Sequence, residues 1–322
     1  MKMKIAGAVL AAAVAGALFA GQAAAATQTV GVIQLVEHSA LDAANRGIVD
    51  QMKARGMDVK FDQQNAQADQ SNLHNIAQRF VTQKYPLIFA IATPAAQSVA
   101  NATSKTPIVA TAVTDFAVAR LVKTNELPGT NVTGSSDMNP VAAQLDLLLK
   151  FVPNAKTIGT IYNSSEINSQ FQIDILKKAV ARKSGLKLIE VTISNVNDVQ
   201  QAAQSLIGKI DALYLPTDNV IASAVPVLTR ITNRARLPII AGEEGMTRSG
   251  ALATLGVDYY ELGKIAGNMG ADILEGKARP ETMPIRFQKT FKAKINSDTV
   301  KRIRIKVPED VAKTAEFVTT SR

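Results

Sequence analysis

Short apolar runs in this chain are followed, again and again, by polar clusters able to hold a charged small molecule. Glu37 and His38 follow the run from Thr29 to Leu35, and Thr93 with Pro94 follows Leu87 to Ala92. After Ile108 to Ala112, Thr114, Asp115 and Phe116 offer a hydroxyl, an acid and an aromatic face. Tyr162, Asn163 and Glu166 come next, then Asp218 with Asn219, then Glu243. Such hydroxyls, amides and carboxylates grip polar groups by hydrogen bonds and charge. Thr93 as cap and Pro94 at the first helical position predict a helix start. The free amides of such an end make a seat for a carboxylate. Ser39 with Asp42 three residues on resembles a capping box, so a helix is expected to start at Ser39 and leave Glu37 and His38 on the loop.

Reactive arrangements are missing. There is no G-x-x-x-x-G-K-[ST] phosphate loop, no G-x-G-x-x-G after the first apolar run and no G-x-S-x-G elbow. His38 and His74 are the only histidines, which leaves no H-E-x-x-H and no metal cluster. With 0 Cys, disulfides, thiolate metal sites and Cys nucleophiles are excluded. Binding without catalysis, cofactor or metal is the expectation.

The elements that must position these residues alternate. Expected strands are Thr29 to Leu35, Asp58 to Gln63, Leu87 to Ala92, Ile108 to Ala112, Thr157 to Tyr162, Lys187 to Thr192, Ala212 to Leu215, Pro238 to Ala241 and Ala251 to Gly256. Between them run amphipathic stretches such as Leu41 to Arg55, Ser71 to Gln83, Val141 to Phe151 and Val220 to Ala235. Tyr259 to Glu275 reads as a helix and Pro284 to Ile295 as one long extended segment. This is an α/β pattern of parallel sheets wound with helices on both faces. It runs twice, with breaker residues between Ser135 and Pro140, so two similar lobes are expected. Ligands of such sheets sit outside the carboxyl ends of the strands, where the polar clusters lie.

The first residues address the compartment. Lys2 and Lys4 precede an apolar run from Ile5 to Ala20, and small residues follow to Ala26. The run is about 16 residues, short of the roughly 20 a spanning helix needs. It reads as a signal peptide, residues 1–26, cleaved after Ala25 or Ala26. Without a Cys there is no lipid attachment point, so a free periplasmic protein is expected, with no membrane insertion of the mature chain. The remaining chain, about 296 residues, suits two domains. The net charge of +9 is scattered and not interleaved with aromatics, which are 5% of the chain, so nucleic acid is not an expected partner.

The stretch Gly31 to Asp42 resembles the opening of the ABC-transporter substrate-binding family that includes tryptophan- and tyrosine-binding proteins. Ala92 to Gln97, Val113 to Asp115, Asn131 to Gly134, Tyr162 with Asn163, Glu166 with Asn168 and Ser169, Pro216 to Asn219, and Gly263 with Gly267 match its pattern in order. The resemblance implies a type I periplasmic binding protein: two doubly wound lobes joined by three crossover segments. Lobe 1 would hold 27–136 and 255–282, and lobe 2 would hold 137–254 and 283–322. It implies a monomer that closes on a small molecule and delivers it to a membrane permease, with an aromatic or hydrophobic L-amino acid as ligand. The carboxylate would sit at Thr93, assisted by Thr114. Glu37, Asp115, Asp218 or Glu243 would take the ammonium, Asn163 and Asn219 would add neutral hydrogen bonds, and Phe116, Tyr162 or Phe171 an apolar wall. A sugar or nucleoside binder, or the binding subunit of a periplasmic sensor, would share the fold.

Overall fold

Apolar runs without polar alternation, such as Ile88–Ile91 and Ala212–Leu215, become strands buried on both faces. The computed structural model describes residues 28–321, so the expected signal peptide lies outside the described residues. The chain opens with β1 (Gln28–Gln34), α1 (Ser39–Ala54), β2 (Val59–Asn65), α2 (Gln70–Thr82), β3 (Ile88–Ile91), α3 (Thr93–Ala102), β4 (Ile108–Val113) and β5 (Val132–Ser136). It continues with α4 (Val141–Phe151), β6 (Thr157–Asn163), α5 (Ile167–Ala181), β7 (Lys187–Ile193), α6 (Val199–Leu206), β8 (Ala212–Leu215), α7 (Asn219–Arg234), β9 (Ile239–Ala241), α8 (Glu244–Arg248) and β10 (Ala253–Gly256). It ends with α9 (Tyr259–Leu274), β11 (Arg286–Phe287), β12 (Lys292–Asn296), α10 (Ser297–Ile303), α11 (Glu309–Ala312) and β13 (Glu316–Val318). Among the described residues no helix is long and apolar enough to cross a membrane.

The strands form two sheets, ordered β11-β5-β4-β3-β1-β2 and β13-β12-β10-β9-β8-β6-β7. Pairing is parallel except between β10 and β12. Each sheet reverses its winding once, at β1/β3 in the first and β6/β8 in the second. Ligands bind at such switch points. The chain passes between sheets three times: after β5, after β10 and after β11. The extended segment expected from Pro284 to Ile295 is therefore split. Arg286–Phe287 pairs with Ser135–Ser136 in the first sheet, beyond the change of lobe expected at residue 283, and only Lys292–Asn296 joins the second. Two of these passages are tied together where the Asp258 N–H donates to Gln288 Oε1 at 2.9 Å and Gln288 Nε2 donates to the Asp258 carbonyl.

α9 returns to the first lobe and packs on α1 with almost no side chains between them. A Cβ on Gly47 would lie 2.2 Å from the Tyr260 carbonyl oxygen, and one on Gly263 would lie 2.0 Å from that of Ala44. This contact fixes α1, whose first turn faces the other lobe.

Candidate functional site

Loops at the carboxyl ends of both sheets converge on one small cavity. From the first lobe come His38, Leu41, Ala112, Asp137 and Tyr259; from the second come Thr217, Asp218, Asn219, Ala222, Glu243 and Met246. The space is close to what one water fills, so the lobes are closed on it. Two polar contacts cross the cleft: His38 Nε2 with Asn219 Oδ1 at 3.4 Å, and the Thr114 and Thr217 hydroxyls at 3.3 Å.

Acid dominates this interior. Asp137, Glu166, Asp218 and Glu243 are all buried, and no Lys or Arg lines the cavity. Asp218 caps α7: Oδ1 accepts from Ile221 N at 2.9 Å, and Oδ2 from Asn163 N at 2.6 Å and Ser169 Oγ at 2.7 Å. Glu166 accepts from Asn168 Nδ2, from the Asn219 and Val220 amides and from Asn219 Nδ2. Burial and the neighbouring Asp218 charge still push Glu166 up to about 8. Glu243 caps α8 through Gly245 and Met246 N–H groups, and burial pushes it up to about 7. Asp137 differs from these: Oδ2 accepts from the Tyr259 hydroxyl, but Oδ1 is buried without a partner. Burial pushes its carboxyl up, against the nearby Tyr259 and Thr114 hydroxyls, which draw it down. Other buried polar atoms without partners include His38 Nδ1 and Thr93 Oγ1. Burial holds His38 neutral, down at about 4.

Several residues expected at the site take other places. Glu37 is exposed. Asp115 Oδ1 accepts from Val118 N at 2.9 Å and so closes its own turn. Phe116 lies in the core of the first lobe. Tyr162 packs in the second core with its hydroxyl donating to Glu190, so neither ring walls the cleft, and Phe171 does not line it either. Asn163 holds Ser165 through Oδ1 and Asp218 through its N–H, a supporting role. Pro94 faces a groove at the cleft mouth shared with Ser165. The expected caps shift by one residue. His38 is the N-cap of α1 and makes no side-chain cap, while Asp42 accepts from Gln34 Nε2 at 2.7 Å, so there is no capping box. Ala92, at φ 87°, is the N-cap of α3, which leaves Thr93 as its first residue with the hydroxyl free. Asp137 was missed because it sits in the Gly134 to Pro140 stretch that reads as a linker. Its signal was an acid directly after a buried strand, as Asp218 lies in the loop after another.

The raised acids give free-state stability a pH dependence. A folded carboxyl held above its unfolded value contributes stability that is lost as pH rises toward the folded value. For Glu166 that loss runs from the ordinary 4.5 up to about 8. His38 runs the other way, weakening the fold only as pH falls below 6.5. Thermal unfolding without ligand should therefore show a lower melting temperature at about pH 8.5 than at about pH 6.5. A rise across that window would contradict these buried states.

Residues 29–319 match the sequence profile of the family described as ABC transporter substrate binding protein. A "Tyrosine-binding protein" of Clostridioides difficile is 44% identical over 280 residues, covering 86% of this chain and 81% of the relative. The structure resembles an ABC domain in complex with L-Trp from Streptococcus pneumonia: TM-score 0.87, 36% identity, 91% of this chain and 99% of that one. It is also similar to a ligand-free, open substrate binding protein with adhesive properties from Clostridium difficile. There the TM-score is 0.69 at 42% identity, over 92% of this chain and 100% of that one. The lower score at higher identity is what a rotation between lobes produces, and the described structure superposes better on the L-Trp complex than on the ligand-free, open one.

Proposed function

We propose, from the premise that this chain belongs to the ABC transporter substrate binding protein family, that it captures an aromatic L-amino acid outside the cytoplasm and delivers it unchanged to a membrane permease. The observation that carries this reading is the buried, partnerless Asp137 oxygen in a closed cleft with no cation of its own. Buried charge is tolerated only when paired. An α-ammonium supplies the missing partner, with Glu243 as the second acid. The ligand carboxylate would take the free Thr93 hydroxyl and the N-terminal amides of α3. Leu41, Ala222 and Met246 would line the aromatic side chain. A neutral sugar would leave the acids uncompensated.

Supporting the amino-acid class are the relative named for tyrosine and the neighbour holding L-Trp. Lobe 1 would comprise the first sheet with α9, lobe 2 the second sheet with its C-terminal strands, and one chain would suffice for the cleft. The type I periplasmic binding protein fold makes capture and closure one event: ligand contacts that exist only when the lobes meet select the closed state.

The test is calorimetry on refolded, ligand-stripped protein with L-tryptophan, L-tyrosine, tryptamine and indole-3-propionate. Only the two zwitterions should bind. Replacing Thr93→Val should weaken them about tenfold, the loss of one hydrogen bond to a charged group. Equal binding of tryptamine would remove the carboxylate seat, and no binding of either amino acid would overturn the ligand class.

A further inference from the structure

We infer that the missing side chain at Gly245 is what lets the two lobes close, an inference that rests on the reading of the cleft as an amino-acid clamp. Gly245 lies in α8 of the second lobe. A Cβ there would stand 2.3 Å from Ser39 Oγ and 3.1 Å from Ala40 N, both in the first turn of α1 on the opposite lobe. Of the three nearest atoms only Glu243 Oε2, at 2.9 Å, belongs to its own lobe. The Gly245 backbone is not among those with positive φ, so the requirement is for space, not conformation.

The backbones on both sides of this contact are held; only the Ser39 hydroxyl can turn, and the Ala40 amide still lies 3.1 Å away. α8 is held to the crossover strand β12 by Asn296 Nδ2 donating to the Thr247 carbonyl at 2.7 Å and by the ion pair of Lys294 with Glu244. Lys294 is only 12% exposed, which makes that pair a partly desolvated one. α1 is held by its backbone contact with α9 at Gly47 and Gly263. The contact also lies beside the tied passages at Asp258 and Gln288, because one groove is lined by Ser39, Gly245, Asp258 and Lys294 together. Close to a hinge, a small rotation separates surfaces little, so an obstruction there holds the distant mouth open.

A side chain at 245 would thus act on closure, while Asp137 and Thr93 keep their places. Gly245→Val should weaken L-tryptophan binding by at least about tenfold, since affinity falls with the population of the closed state. The chain has 0 Cys, so Asn101→Cys with Lys178→Cys gives one clean label on each lobe for distance measurement. Saturating L-tryptophan should shorten that distance in the parent and fail to do so in Gly245→Val. Gly245→Ala should show a smaller loss of affinity, and adding Ser39→Ala should restore most of it, because the obstructing atom lies across the cleft. No rescue would mean that the loss runs through Glu243 in the same lobe, and the inference would fail. An unchanged distance shift in Gly245→Val would overturn it directly. The same label distance measured without ligand should be longer in Gly245→Val than in the parent. A parent that binds neither amino acid would sink the ligand reading alone, and equal ligand-free distances would sink the closure contact.

Discussion

Asp137→Asn should weaken L-tryptophan and L-tyrosine by about a hundredfold, equivalent to roughly 3 kcal/mol for a buried charge pair that loses one member. The free protein should meanwhile melt no lower than the parent. The two effects have one cause. In the free closed cleft Asp137 Oδ1 is buried with no donor, and burial already pushes the carboxyl up, so the charge costs stability there. With an ammonium present the same charge becomes the strongest attraction in the site. The amide keeps an oxygen for the Tyr259 hydroxyl, so the variant should remain folded. Titration calorimetry and a ligand-free melt on the same preparation decide the matter. Unchanged affinity would remove Asp137 from the ammonium site, and lost affinity with a lower melt would mean a structural acid.

Gly263→Leu should cost roughly 4–5 kcal/mol of unfolding free energy, at the exceptional end for a point substitution. The obstacle is backbone: the first side-chain carbon would already stand 2.0 Å from the Ala44 carbonyl oxygen and 2.8 Å from its carbon. Side chains give way by changing rotamer, but here two helices must part. Gly267→Ala, whose Cβ would meet Gln51 Cβ at 2.8 Å and Ile48 O at 2.9 Å, should cost far less, because a better helix former offsets part of the crowding. Urea unfolding of both variants checks the ranking. Equal midpoints would show that α1 and α9 are not locked by this contact.

How much of this was legible depends on whether the information is local. Buried strands followed by polar loops and helices announce themselves in apolar runs, and Val141–Phe151 and Ala212–Leu215 fall at the residues expected. So does the principle that acids and hydroxyls after those strands meet in one cleft, as His38, Asp218, Asn219 and Glu243 do. Side-chain direction is not local. Tyr162 is expected to end its strand, yet β6 runs on to Asn163 and the pleat turns Tyr162 into a core. The five-residue α8 has too few turns to show a helical period, so the element that carries Glu243 and Gly245 was invisible. Asp137 hid among turn-forming residues, which mark the change of lobe but do not reveal that a side chain there faces the cleft.

The cluster of buried acids has a consequence for energy coupling. Without a cation, closing the cleft leaves these acids dry and drives them toward the neutral form, so an unloaded carrier gains little from closing. The ligand's ammonium removes that cost. A permease that recognises the closed face would then meet it chiefly on loaded carriers, and ATP hydrolysis would follow cargo, not collisions with an idle carrier.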